Sequence, residues 1–352
     1  MFQEETNDAI ALLQQLIAIQ SYSKEESTAA DFLERYIEIK GYVVSRKENN
    51  VWMLSPGFEP KRPTILLNSH IDTVKPVAGW TRDPFSPVIE DGKLFGLGSN
   101  DAGASVVSLL HAFFYLTQKQ QHYNLIFAAS GEEEISGENG IESLLQELPK
   151  IDFAIVGEPT GMNLAVAEKG LMVLDCIVIG LAGHAARNEG DNAIYKALPA
   201  IEWFKNYEFE KKSELLGAVK MTVTQINAGT QHNVVPDTCS FVVDVRSNEM
   251  YSNQEILDEI RKFIDCDVQL RTTRLSSTAT PINHPIVNRG IELNRSVFGS
   301  PTLSDQALMT FPSLKMGPGE SFRSHTADEY ILLDEIGVAI EIYIQLLDGL
   351  EI

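Results

Sequence analysis

TILLNSHID, residues 64–72, is an apolar run that ends in a histidine and an acid two positions apart. Its composition reads as a buried strand and its polar end as that strand's carboxyl edge. The pattern recurs. KLFGLGSND (93–101) delivers Asp101, NLIFAASGEEE (124–134) delivers Glu132, Glu133 and Glu134, and FAIVGEP (153–159) delivers Glu158. Far downstream, a Gly317-Pro-Gly319 turn precedes Ser324-His325. In open α/β sheets the carboxyl ends of strands form the rim where ligands bind. Several acids and two histidines on one rim suggest a binuclear metal hydrolase.

The segments between these runs are helical in pattern. Ile10, Leu13, Leu16, Ile17 and Ile19 mark one face of a helix over 5–20. Ser23-Lys-Glu-Glu26 has the form of a capping box and predicts a second helix ending near Gly41. ASVVSLLHAFFYL, inside a helix expected over 101–118, is apolar nearly all round and therefore buried. Strands alternating with helices predict an α/β fold, a mostly parallel sheet with helices on both faces. After Lys169-Gly170 the strand-end acids stop. Residues 171–280 read β-α-β-β-α-β, with helices at 191–206 and 252–263, which predicts a smaller α+β, ferredoxin-like domain. The first texture returns with a helix at 285–298, the strand SLKMGPG and a helix at 332–348. The expected organisation is a catalytic domain in two parts, 1–170 and 281–352, interrupted by a domain at 171–280.

Bulk properties exclude several functions. A net charge of −21 over 352 residues opposes binding to nucleic-acid backbone or anionic lipid. Cys176, Cys239 and Cys266 show no CxxC spacing and read as free thiols in a reducing compartment. The N-terminus is acidic where a signal peptide would be basic. No run approaches the ~18 apolar residues of a membrane span. A soluble cytoplasmic protein is expected.

Each candidate residue has an ordinary and a chemical reading. His70 and Asp72 share a strand face, so His70 can ligate a metal while Asp72 accepts its other ring N–H. Asp101 is either a helix N-cap or a carboxylate shared by two cations. Three adjacent glutamates repel one another, so solvent or a cation must compensate them. In the chemical reading one of them ligates metal and a neighbour moves a proton between water and the leaving amine. Glu158 is pushed toward extended backbone by Pro159. Together these residues suffice for two Zn²⁺ ions with a position left open for water.

The chain resembles the zinc-dependent aminoacylase/carboxypeptidase family through SHIDTV (69–74), GLGSNDAG (96–103), EEE (132–134), GEPT (157–160), GHAARNEGDNAI (183–194), NVVPD (233–237), DVR (244–246) and SHTADEY (324–330). The resemblance implies His70 and Glu158 on one zinc, Glu134 and His325 on the other, Asp101 bridging, Asp72 orienting His70, and Glu133 as general base. A shifted frame, with Glu132 as base and Glu133 as ligand, stays open. The resemblance also makes the inserted domain a lid and homodimer interface. His184 would then reach a neighbouring subunit's site to stabilise the oxyanion, and Asn233 and Arg246 would contact substrate. An ion pair is the rival reading of Arg246. One departure stands out: the family's Asp-Met-Lys-Gly is Asp101-Ala-Gly103-Ala here.

The expected activity is hydrolysis of an N-acyl amino acid by two Zn²⁺ per subunit, with Co²⁺ as a possible substitute. Overall resemblance and compact length point first to an acetylornithine deacetylase-like enzyme of arginine biosynthesis acting on N-acetylornithine or an acylated citrulline. The alternatives are succinyl-diaminopimelate desuccinylase, a di- or tripeptide aminopeptidase, and a metal-free binding protein that kept the fold.

Overall fold

The run Thr64–His70 is buried at every position, as an interior strand covered on both faces must be. A computed structural model, describing residues 2–352, shows what covers it. The chain forms α1 (Gln3–Ile17), α2 (Ser27–Ile39), β1 (Ser45–Lys47), β2 (Asn50–Leu54), β3 (Thr64–His70), the hairpin β4 (Val88–Glu90) and β5 (Lys93–Phe95), α3 (Ala104–Leu116), β6 (Asn124–Ser130), α4 (Ile141–Leu145), β7 (Phe153–Val156) and β8 (Leu164–Glu168). Next come β9 (Gly170–Ile179), β10 (Gly183–His184), α5 (Ala193–Asn206), β11 (Lys220–Ala228), β12 (Val234–Val235), β13 (Thr238–Ser247), α6 (Asn253–Phe263) and β14 (Asp267–Leu270). The chain closes with β15 (Thr278–Ala279), α7 (Pro285–Glu292), β16 (Val297–Ser300), β17 (Ser313–Lys315), β18 (Tyr330–Leu332) and α8 (Leu333–Leu347).

Two units emerge. The first runs to Val166 and resumes over Ala279–Phe298 and Ser304–Ile352; the second comprises Ala167–Thr278 and Gly299–Leu303. In the first, the sheet order is β1-β2-β6-β3-β7-β17-β8. The central four strands, β6, β3, β7 and β17, are parallel, whereas β1, β2 and β8 run against their neighbours. Alternate residues serve opposite faces. Leu66, Ile126, Ala128, Ala154 and Val156 pack with Ile141 and Leu144 of α4. On the other face α3 packs against β3, α1 and α8.

The second unit is a four-stranded sheet of order β11-β13-β9-β14 with every neighbour antiparallel. This is the ferredoxin-like arrangement. Met172, Leu174, Cys176 and Val178 alternate along β9 and bury with Phe241 and Val243 of β13, Ala197 and Phe204 of α5, and Ile256 and Ile260 of α6. No helix among the described residues is long and apolar enough to cross a membrane.

Three local expectations are corrected. The capping box at Ser23 does not form: α2 starts at Ser27 without a side-chain cap, because Ser23 Oγ donates to Asp72 Oδ2 instead (2.7 Å). The helix expected from 101 begins at Ala104, since Asp101 (φ −122°, ψ 95°) and Ala102 lie off helical geometry. The helix expected over 285–298 stops at Glu292. There Asn294 turns left-handed (φ 60°), while Arg295 N–H reaches Gly290 O and Asn294 N–H reaches Ile291 O. That is a Schellman stop, and it frees the chain to enter β16.

Phe113 of α3 is fully buried, with its ring edge-on to Phe127 and Tyr42. Phe113→Ala is expected to cost about 3–5 kcal/mol, read as a fall in the urea midpoint with an unchanged denaturant slope.

Candidate metal centre

Parallel pairing brings the strand ends level. His70 ends β3 opposite Ser130, the end of β6, and Lys315 ends β17 opposite Val156, the end of β7. The residues just beyond these ends therefore meet at one edge of the sheet. His70 is 2% exposed. Its Nε2 lies 3.3 Å from Asp101 Oδ1 and 3.9 Å from both Glu133 Oε2 and Glu158 Oε1. His325, far along the chain, puts Nε2 3.0 Å from Glu134 Oε2 and 3.6 Å from Asp101 Oδ2. Two groups result, His70–Asp101–Glu158 and Asp101–Glu134–His325, each with ligand atoms within 4.8 Å of one another. Asp101 belongs to both and turns one oxygen to each histidine.

His70 Nδ1 faces Asp72 twice, at its main-chain carbonyl (2.9 Å) and its carboxylate (3.5 Å). The carboxylate also accepts Ser23 Oγ–H and the N–H groups of Glu133 (3.0 Å) and Glu134 (3.2 Å). It therefore shapes the turn that carries the acidic triplet. Glu132 N–H donates to buried Glu26 (3.0 Å). The Glu132 side chain turns away to Asn139 (3.0 Å to Nδ2) and joins neither cluster. Glu133 also lies outside both three-ligand groups, beside His70.

Electrostatics follow from crowding. Burial and the charge of Asp101 push Glu158 up to about 8. Burial, with Glu158, Asp305 and Glu134, raises Glu133 well above an ordinary glutamate against the pull of His70. The hydrogen bond to Glu134 lifts His325 to about 9. Burial works to raise Asp101, but its hydrogen bond to His70, the charges of His70 and His325 and the Ser324 hydroxyl together outweigh it and hold the group below an ordinary aspartate.

Whether cations fit can be asked of the residues themselves. Glu134 Oε1 and Glu158 Oε1 are buried with no hydrogen-bond partner. Buried acceptors are rarely left so. Imidazole and carboxylate donors with no thiolate suit a divalent ion in a catalytic site. The donor set fits two such ions.

Several contributing residues were not among the candidates. Asp305, buried and raised to about 6 chiefly by burial, accepts from Ser130 Oγ (2.6 Å) and Asn68 Nδ2 (2.8 Å) beneath the site. Glu26 and Glu329 bind backbone N–H groups of the ligand-bearing turns. Glu329 had one available signal, its place four residues after His325 in SHTADEY.

The remaining candidates lie in the second unit. His184 pairs opposite Val234 and is exposed. Its Nδ1 accepts Ala186 N–H (3.1 Å), so the neutral ring carries its proton on Nε2. Asn233, also exposed, accepts Ala185 N–H at its carbonyl (3.0 Å). The Arg246 fork is engaged by Asp244 (2.9 and 3.1 Å). A substrate carboxylate would have to displace that partner.

Fold and donor set define a metal-dependent hydrolase of amide bonds, and residues 66–349 match peptidase family M20/M25/M40. The chain belongs to this family. It is 28% identical to a putative succinyl-diaminopimelate desuccinylase of Mycobacterium tuberculosis, over 97% of this chain and 98% of that protein. Its fold is similar to that of aminopeptidase PepT from Bacillus cereus, with TM-score 0.80, 19% identity, and 97% and 98% of the two chains covered. It is likewise similar to a dinuclear metal-binding peptidase of the family from Bacillus subtilis, with TM-score 0.75, 16% identity and 98% of each chain covered.

Metal-stripped protein should gain stability on adding Zn²⁺ or Co²⁺, by about 2.7 kcal/mol at a hundredfold excess over Kd. Calorimetry reads this as a rise in Tm that chelator reverses. An unmoved Tm with both ions would show that the clusters hold no cation.

Proposed function

We propose that this chain is a dinuclear zinc amidohydrolase that removes a dicarboxylic acyl group, of the succinyl type, from the amino group of an amino acid. The metal part rests on one observation: Asp101 turns its two oxygens to two different histidines, each with a further carboxylate of its own. His70 and Glu158 would hold one ion, Glu134 and His325 the other, and Asp101 both. Bound there, the ions supply Lewis acidity for the scissile carbonyl and acidify water at neutral pH.

The chain's own groups do the rest. Glu133 lies beside His70 without belonging to either ligand group. It takes a proton from the attacking water and returns it to the leaving nitrogen. Its backbone is fixed by Asp72, which keeps base and ligand in register. The turn of Glu132 toward Asn139 favours this frame over the shifted one. His184, with its proton on Nε2, donates to the oxyanion. Asn233 and Arg246 bind substrate, Arg246 by exchanging Asp244 for a substrate carboxylate.

The succinyl reading is supported by the full-length relative at 28% identity. The acetylornithine expectation rested on compact length and general likeness, and no contact of the site favours it. Exposed Ile179, Leu181, Tyr195, Leu198 and Ile226 on the second unit suit a homodimer interface. The three unpaired cysteines suit a reducing, cytoplasmic setting.

Rates on N-succinyl-diaminopimelate, N-acetylornithine, N-acetylcitrulline and a tripeptide test the substrate class. The succinyl compound should give the highest kcat/KM; a clear preference for any other member replaces this assignment. Glu133→Gln should keep both ions while kcat falls by about 10²–10⁴-fold, the range of general acid–base catalysis. Turnover within a few-fold of wild type would remove Glu133 as the base.

A further inference from the structure

Glu329 is buried, at 2% exposed, and takes no part in the steps above. Its Oε1 accepts the N–H groups of Asn100 (2.8 Å) and Asp101 (2.9 Å), and its Oε2 accepts that of Gly98 (3.1 Å). Its main-chain carbonyl accepts Gly96 N–H (3.0 Å). Three donors of one turn thus converge on a single carboxylate. Gly98 is left-handed (φ 74°) and Asp101 lies off helical geometry, so no helix ladder could bind these donors.

The turn is held from a second side. Asn100 Oδ1 accepts Glu320 N–H (3.1 Å), and its Nδ2 donates to Glu320 O and Ser324 Oγ (3.2 Å each). The stretch from Glu320 to Glu329 therefore bears His325 and also grips the turn that bears Asp101. The two segments are thereby tied together.

We propose that Glu329 is a positioning residue: by binding the N–H groups of Gly98, Asn100 and Asp101 it sets where the Asp101 carboxylate lies between His70 and His325, and so sets the affinity of the site for its pair of ions. This rests on Asp101 as the shared ligand proposed above. The competing role is plain satisfaction of buried donors, which would stabilise the fold with or without metal.

Zn²⁺ affinity, by competition with a chromophoric chelator, and Tm with and without Zn²⁺ separate the two roles. Wild type, Glu329→Gln and Asp101→Ala are compared. Glu329→Gln replaces one acceptor oxygen with an amide donor facing an N–H. It should weaken Zn²⁺ binding 10–100-fold, the usual effect of losing a group that supports a ligand. The metal-induced rise in Tm should shrink with it, and the visible spectrum of the Co²⁺-loaded protein should change. Equal loss of Tm with and without metal, with affinity and spectrum retained, overturns the proposal. Should Glu329→Gln not fold, Glu329→Asp, which keeps the carboxyl group but withdraws it by one methylene, is judged by the same two outcomes. Asp101→Ala keeping both ions would instead overturn the shared-ligand reading. Its losing them while the Glu329 variants bind normally would overturn only the positioning role.

Discussion

The first unit depends on confining like charges at one sheet edge. Asp72, Asp101, Glu133, Glu134 and Glu158 all lie within or against the metal centre, with side chains no more than 14% exposed. Two unit charges 4 Å apart interact by about 4 kcal/mol at an effective dielectric near 20. Several such repulsions exceed what one or two histidines can offset. Parallel strands create the difficulty, since their carboxyl ends share one edge. They would also make it useful, because a pair of divalent ions held there would offset several of these charges at once.

Asp72 among these, with Glu26 and Glu329 behind them, addresses the backbone. Asp72 takes the N–H groups of Glu133 and Glu134, and Glu26 takes that of Glu132. Glu329 takes three more from the turn at 98–101. Charge-assisted bonds of this kind are stronger than neutral ones, and they fix turns that have no helical or sheet ladder. The division is consistent: Glu134 and Glu158 each leave a buried oxygen without a hydrogen-bond partner, while the outer acids consume backbone donors.

The sheet was legible because burial on both faces leaves uninterrupted apolar runs, and TILLNSH, NLIFAAS and FAIV are such runs. The second unit was legible from its β-α-β-β-α-β succession, which fits the four-stranded antiparallel order observed. The two histidines and the acids at strand ends could be read for the same reason, as polar residues placed where an apolar run stops. What escaped was whatever depended on side chains meeting across the chain. Ser23 and Glu26 fit a capping box by spacing alone. Only tertiary contact with Asp72, 49 residues away, and Glu132, 106 residues away, recruits them elsewhere. Asp305 and Glu329 likewise sit in segments with no periodicity. Asn294 ended a helix early because a left-handed residue outweighs the apolar pattern beyond it.

The departure at Asp101-Ala-Gly103-Ala has a local cause. A Cβ at position 103 would lie 2.5 Å from Gly98 O and 2.7 Å from Leu13 Cδ1. The turn from Gly98 closes through Gly103 N–H to Gly98 O (2.9 Å), and α1 lies directly against it. A lysine there would force α1 or the turn to move. Neither neighbour belongs to the two ligand groups. The loss of that lysine thus reports how tightly α1 packs under the bridging turn. At its opposite end the same turn is held by Glu329, which accepts the Gly98, Asn100 and Asp101 N–H groups.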